Sequence, residues 1–273
     1  MIKSAVTVAL VPQIKSGPWI FWENLRQAMA KAGNLGFDGI ELFTPDAQGL
    51  DPEELEAALQ MHDLKLAAVG TGAGKVIHGL TLTDPDPENR KKAISFISAM
   101  ISFGARFDAP AIIGSMQGNV LVGNDRELTL SWLAEGLEIL GEKAESEGVF
   151  LIYEPLNRYE TNLFNTLKSG ADFLESLTTQ NVKLLADLFH MNIEEEDIAR
   201  SILENGKHIG HIHFADSNRR AIGLGHTEME SVAEAIKSIN YGGFISAEAF
   251  PYPDPDAAAI ETIHAFKKYF RNS

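Results

Sequence analysis

Val149-Phe-Leu-Ile-Tyr-Glu154 runs four apolar residues and a tyrosine straight into a carboxylate, and that short passage decides how the rest of the chain reads. The same form returns in Lys183-Leu-Leu-Ala-Asp187 and Phe244-Ile-Ser-Ala-Glu248, while Ile209-Gly-His211-Ile-His213 ends on imidazole instead. Brief apolar runs closed by acidic or turn residues read as buried β-strands. Working outward, Val6–Val11, Gly39–Phe43, Leu66–Gly70 and Ala111–Gly114 have the same character. The four later strands extend over Val149–Glu154, Lys183–Asp187, Ile209–Ala215 and Phe244–Phe250.

Longer amphipathic patterns separate these runs, at Asn24–Ala32, Pro52–Met61, Asn89–Phe103, Glu127–Glu147, Ser169–Leu177, Asp197–Asn205, Met229–Ile239 and Asp256–Tyr269. Asp51-Pro-Glu-Glu54 and Asp84-Pro-Asp-Pro-Glu88 supply capping carboxylates and a first-turn proline, as helix starts require. Strands that alternate with helices imply a parallel sheet, and eight strands is the number that closes. The expected fold is therefore α/β, a single (β/α)8 TIM barrel over residues 1–273. An open doubly wound sheet is the structural alternative, but no G-x-G-x-x-G follows the first strand and no Pro/Gly-rich linker divides the chain.

Composition narrows the function. With 45 % hydrophobic and 22 % charged residues the chain has ample material for one core. A formal charge of −15 opposes contact with nucleic acid or anionic membranes. No apolar run reaches the roughly 20 residues of a membrane helix. Ser4–Val11 is followed by Pro12 with no small-residue cleavage site, so it reads as a first strand rather than a signal peptide. The chain has no cysteine, which excludes disulfides and thiolate ligands and fits a cytoplasmic protein. Any metal must sit on imidazoles and carboxylates, a donor set that suits Mn2+, Mg2+, Co2+ or Zn2+.

Barrel active sites form at the C-terminal ends of the strands. There the chain delivers Glu154, Asp187, His213 and Glu248 from four neighbouring strands, with His211 on the same face as His213 by period-two alternation. One carboxylate at a strand end is ordinarily a helix N-cap, and Asp187 alone would be read that way. Four together need a positive partner to offset their desolvation, and one divalent cation is the simplest. His211 reads as a support for His213 or for a carboxylate, and His208 as a surface residue. Asn157-Arg-Tyr-Glu160, His190-Met-Asn192 and Asp216-Ser-Asn-Arg219-Arg220 follow the strand ends and supply donors for a polar pocket. Arg158 and Arg220 are either part of that pocket or salt bridges buttressing its loops. Gly223-Leu-Gly225-His226 is either a closing loop or a plain turn. Trp19, Phe21, Trp22 and Phe43 either wall that pocket or belong to the core, with core as the default.

Glu154-Pro-Leu-Asn-Arg-Tyr-Glu160, Ala186-Asp-Leu-Phe-His-Met-Asn192 and His211-Ile-His-Phe-Ala-Asp-Ser-Asn-Arg219, with Glu248 on a final strand, resemble the xylose-isomerase-like sugar isomerase/epimerase superfamily. Within it the chain resembles the D-tagatose and D-psicose 3-epimerase branch. Val69-Gly-Thr-Gly72 and Gly79-Leu-Thr-Leu-Thr-Asp-Pro85 look closer still to epimerases of keto-sugar acids such as 5-keto-L-gluconate. The resemblance implies one divalent metal, Mn2+ first with Co2+, Mg2+ or Zn2+ as alternatives, held by Glu154, Asp187, His213 and Glu248. It makes Glu154 and Glu248 the acid/base pair, assigns the substrate carbonyl and adjacent hydroxyl oxygens to His190 and Arg219, and sets Glu160 near the first sugar carbons. The implied reaction inverts C3 of a small keto-sugar or keto-sugar acid through a cis-enediolate, in a homo-oligomer of two or four chains.

An aldose–ketose isomerase shares the enediolate but returns the proton to the neighbouring carbon, and an inosose-type dehydratase on the same site expels water. A DNA-repair endonuclease on this barrel needs more strand-end histidines and a basic groove. A sugar-binding protein on a retired barrel would lack one of the four ligands, and all four are present. Arg220 and Gly242-Gly243 point weakly to an anionic group on the substrate.

Overall fold

Parallel strands separated by helices can close only if the first pairs with the last, and they do. The computed structural model describes residues 1–14, 16–22 and 24–271. Its strands are β1 (Lys3–Ala9), β2 (Phe21–Trp22), β3 (Gly39–Phe43), β4 (Lys65–Gly70), β5 (Ala111–Ile113), β6 (Leu151–Tyr153), β7 (Val182–Asp187), β8 (Ile209–His213) and β9 (Phe244–Ala247). β2 is a two-residue flap beside β1; the other eight run β1-β3-β4-β5-β6-β7-β8-β9 and close through β1–β9 pairing, Lys3 opposite Phe244 and Val6 opposite Ala247.

The connecting helices are α1 (Leu25–Leu35), α2 (Pro52–Met61), α3 (Ala73–His78), α4 (Pro87–Ala105), α5 (Arg126–Ser146), α6 (Leu167–Glu175), α7 (Leu188–Glu194), α8 (Ile198–Asn205), α9 (Met229–Ser238) and α10 (Pro255–Phe270). Their starts follow the local chemistry. Asp51, Asp86, Asp125 and Asp254 accept backbone N–H groups at the first turns of α2, α4, α5 and α10, and Thr166 with Ser169 closes a reciprocal cap on α6. None of these helices is long and apolar enough to cross a membrane.

Two apolar layers result. Strand residues such as Val69, Ile113, Leu151, Leu184 and Ile212 face the helices, while Ala68, Ile112, Ile152 and Leu185 cluster separately inside the ring. Alternation carries that inner face upward to Gly70, Gly114, Glu154 and Asp187, so the barrel interior turns from apolar to polar at the strand ends.

The structure shifts several expected boundaries. β1 spans Lys3–Ala9 rather than Val6–Val11, because its early residues are needed to pair with β9. β6 and β9 stop at Tyr153 and Ala247, so Glu154 and Glu248 stand one residue beyond the ladder. α3 and α7, of six and seven residues, are too short for apolar periodicity to reveal.

Candidate active site

Asp187 does two jobs. One carboxylate oxygen accepts the backbone N–H of Phe189 (2.7 Å) and of His190 (3.2 Å), capping α7. Its other oxygen turns inward to 3.2 Å from His213 Nδ1. The strand end is thus a helix cap and a site member at once.

His213, from β8, is the centre of the cluster. Its Nδ1 lies 3.6 Å from Glu154 Oε1 and 3.8 Å from Glu248 Oε2. Glu154, Asp187 and His213 are buried, and the Glu248 side chain is 15 % exposed, which leaves it facing the cavity. His190 Nε2 stands 3.9 Å from Glu154 Oε1 and 3.8 Å from Asp187 Oδ2, so it belongs to the same cluster. Arg219 donates to Glu248 Oε2 at 2.5 Å and lies 3.5 Å from Glu160 Oε1. Its guanidinium rests over the Phe189 ring, 4.7 Å from the centroid, and its backbone takes a left-handed φ of 58°, a conformation uncommon outside glycine. Glu160 sits at the outer edge with its side chain 39 % exposed. Of the seven residues singled out from the sequence, Glu154, Glu160, His213, Arg219 and Glu248 line one cavity, and Asp187 and His190 lie behind them, within 4 Å of His213 or Glu154.

The proton on His190 is placed by Asn157. The Asn157 backbone N–H and side-chain amide both point at His190 Nδ1, at 3.2 and 2.7 Å. The amide is oriented by its other bonds: its oxygen accepts from Tyr159 N–H and its nitrogen donates to Glu160. Both groups at Nδ1 are donors, so neutral His190 carries its proton on Nε2, aimed at the carboxylates. Among the described residues that atom is buried with no hydrogen-bond partner, and so is Glu154 Oε1.

Charges in the cluster pull in different directions. Burial pushes the Asp187 carboxyl up, but His190, His213 and Arg219 outweigh it and hold it well below the usual carboxylate range. Glu248 goes the other way: burial raises it, and Glu154 and Asp187 add to that against Arg219 and His213. Burial lowers His213, yet Glu41, Glu248, Asp187 and Glu154 raise it well above the ordinary imidazole value. Asp187 and Glu248, in the same cluster, thus differ in proton affinity.

Glu41 was not singled out from the sequence. It lies in the middle of β3, buried, with one oxygen 2.8 Å from His211 Nε2 and the other 3.1 Å from His213 Nε2. The signal was present, since Gly39-Ile-Glu-Leu-Phe43 is apolar apart from that one carboxylate. A search restricted to strand ends passes over it. His211 supports a carboxylate, as one of its two expected roles had it, and the carboxylate is Glu41.

Trp19 and Phe43 answer to both expected readings, packed in a small apolar cluster with Ala9, Val11 and Ala73 and also walling the cavity. They stack at 4.4 Å and line the cavity; Phe21 is buried in the core and Trp22 meets Trp19 edge-on. Gly114 lets the wall approach closely, because a Cβ there would lie 2.5 Å from Glu154 Oε2. Arg158 is a loop buttress, forked onto Glu194 with two contacts of 2.9 Å. Arg220 lies on the Tyr252 ring, 3.6 Å from the centroid, and does not line the cavity. His208 pairs with Glu175 at 3.0 Å near the surface. The loop carrying Gly223 and Gly225 is tied down, with the backbone N–H of both glycines and of Thr227 donating to Asp216.

With this geometry in hand, similarity to known proteins is informative. Residues 29–269 match the family described as xylose isomerase-like TIM barrel. The chain is 30 % identical over 246 residues to a D-psicose 3-epimerase of Ruminiclostridium cellulolyticum, covering 85 % of this chain and 82 % of that one. It is 36 % identical over 228 residues to an L-ribulose 3-epimerase of Mesorhizobium japonicum, covering 83 % and 75 %. The crystal structure of a D-allulose 3-epimerase from Methylomonas superposes with a TM-score of 0.80 at 22 % identity, covering 98 % of each chain.

Proposed function

The chain belongs to the xylose isomerase-like TIM barrel family and is a sugar epimerase or isomerase, and from that premise we propose that it inverts C3, the carbon next to the ketone, of a small ketose or keto-sugar acid. One observation carries the reading. Glu154 and Glu248 reach the cluster from β6 and β9, with β7 and β8 between them, so two carboxylates flank the site from opposite ends.

The residues fit a divalent cation. Neighbouring ligands bound at about 2.0–2.2 Å stand roughly 3–4 Å apart, and the three carboxylate oxygens lie 3.2–3.8 Å from His213 Nδ1. The buried, unpartnered Glu154 Oε1 faces the same point. Glu154, Asp187, His213 and Glu248 would hold the ion; His190, with its proton on Nε2, is a donor rather than a ligand. Bound there, a cation such as Mn2+, Co2+, Mg2+ or Zn2+ supplies Lewis-acid stabilisation of the charge that develops on the substrate oxygens.

Epimerisation removes the C3 proton from one face and returns one to the other. Glu154 and Glu248, on separate strands, serve as base and acid and exchange roles in the reverse direction. The substrate passes through a planar cis-enediolate. His190 donates from Nε2 to the developing oxyanion, and Arg219, always charged, adds a second donor while it orients Glu248. Trp19 and Phe43 offer an apolar wall for the carbon face of the sugar.

Incubation with Mn2+ in D2O tests this across D-fructose, D-tagatose, L-ribulose and a keto-sugar acid panel. Deuterium at C3 with formation of the C3 epimer is the expected NMR result, and E154Q and E248Q should each lose at least ~100-fold in rate. Deuterium at C1 with an aldose product, or loss of water, would replace the proposal with isomerisation or dehydration.

A further inference from the structure

Glu41 sits on β3, across the barrel interior from β8, and its carboxylate joins two imidazoles that are two residues apart on that strand. A buried carboxylate in an otherwise apolar strand is costly unless both oxygens are satisfied. Here each oxygen meets one Nε2, at 2.8 and 3.1 Å. The His211 and His213 rings stand nearly perpendicular, at 82°, so each presents that nitrogen to a different oxygen.

We propose that Glu41, braced by His211, is a positioning residue that holds the His213 ring with Nε2–H turned away and Nδ1 presented to Glu154, Asp187 and Glu248. An ionised carboxylate only accepts, so both Nε2 atoms must carry hydrogen. When His213 is neutral its lone pair then lies on Nδ1, the atom 3.2–3.8 Å from three carboxylate oxygens. Glu41 therefore decides which nitrogen can serve a cation and stops the ring from flipping, as carboxylates behind histidine ligands generally do. His211 supplies the hydrogen bond that keeps Glu41 from rotating toward the cavity. The inference rests on the metal reading above for its consequence, but the placement of the proton stands apart from it.

Replacement by glutamine tests the idea sharply, because an amide cannot accept from both rings. In E41Q one imidazole must move its Nε2 proton to Nδ1 or lose its hydrogen bond. We expect Mn2+ affinity, followed by the EPR signal of the free ion, to fall about 10–100-fold, and E41D to recover part of that loss. H211N, which removes only the brace, should lose less than E41Q. Nitrogen-15 NMR of histidine-labelled wild-type protein, metal-free at a pH high enough to leave the His213 ring neutral and Zn2+-loaded, should show hydrogen on His213 Nε2 and none on Nδ1 in both states.

E41Q binding Mn2+ within threefold of wild type, or a bare Nε2 on wild-type His213, would overturn the proposal. Should E41Q fail to fold, the NMR measurement on the unaltered chain still decides. Wild-type protein that binds no divalent ion counts against the proposed function, while the metal-free His213 spectrum continues to test Glu41.

Discussion

A neutral histidine has one proton to place, and at His190 the choice is made by a residue 33 positions earlier. Asn157 offers two donors to Nδ1 and so turns Nε2–H into the site. In N157A the side-chain donor is lost and the ring is held by the backbone N–H alone. We expect kcat to fall about tenfold, equivalent to ~1.4 kcal/mol of barrier, with a smaller change in KM; steady-state kinetics on a confirmed substrate checks this. An unchanged kcat would remove Asn157 from the account. At this scale much of the site was legible. Glu154, Asp187, His213 and Glu248 each end an apolar strand, where a charged group needs a reason. Asn157 was read only as one loop donor among several, because nothing local ties it to His190. Glu41 was missed because its partners come from β8, 170 or more residues away.

Among elements, the segment after β8 shows how a loop becomes part of a scaffold. Asp216 accepts from the backbone N–H of Ser217, Gly223, Gly225 and Thr227 and from the Thr227 hydroxyl. Burial raises its carboxyl, but these donors outweigh that and hold it below the ordinary aspartate value. A depressed carboxyl stabilises the fold fully above its unfolded pKa, ~3.9, and that contribution is lost as pH falls through the lower folded value. D216N should therefore cost about 1–3 kcal/mol near neutral pH, with the penalty shrinking below about pH 4. Thermal melts across pH, with amide exchange at Gly223 and Gly225, measure it. A penalty independent of pH would show that the charge does not matter. The sequence left this loop open between a moving cover and a turn; its glycines suit either, and only the Asp216 contacts decide.

For the whole molecule, the cluster gathers side chains from β6, β7, β8 and β9, half of the closed ring. An ion held there would bind the folded chain and not the unfolded one. At a hundred times its dissociation constant it should add about 2.7 kcal/mol, or roughly 5–11 °C in Tm for a chain of this size. Scanning calorimetry with Mn2+, then with EDTA, is the measurement. No shift in the wild type, or the same shift in E154Q and E248Q, would put the ion elsewhere or nowhere. The overall charge of −15 makes nonspecific cation binding the natural control, and those variants supply it.

Strand and helix alternation, the closure of eight strands, and the carboxylates at the strand ends were determined by the sequence itself, because apolar periodicity and the residue after a strand are properties of neighbours along the chain. Tertiary structure alone decided that Glu41 spans the ring to His211 and His213, that Asn157 sets the His190 proton, and that Trp19 and Phe43 wall the cavity as well as packing in an apolar cluster. Closing the sheet brings together residues far apart in the chain, and contacts made across a barrel interior leave no periodic trace in the order of the amino acids.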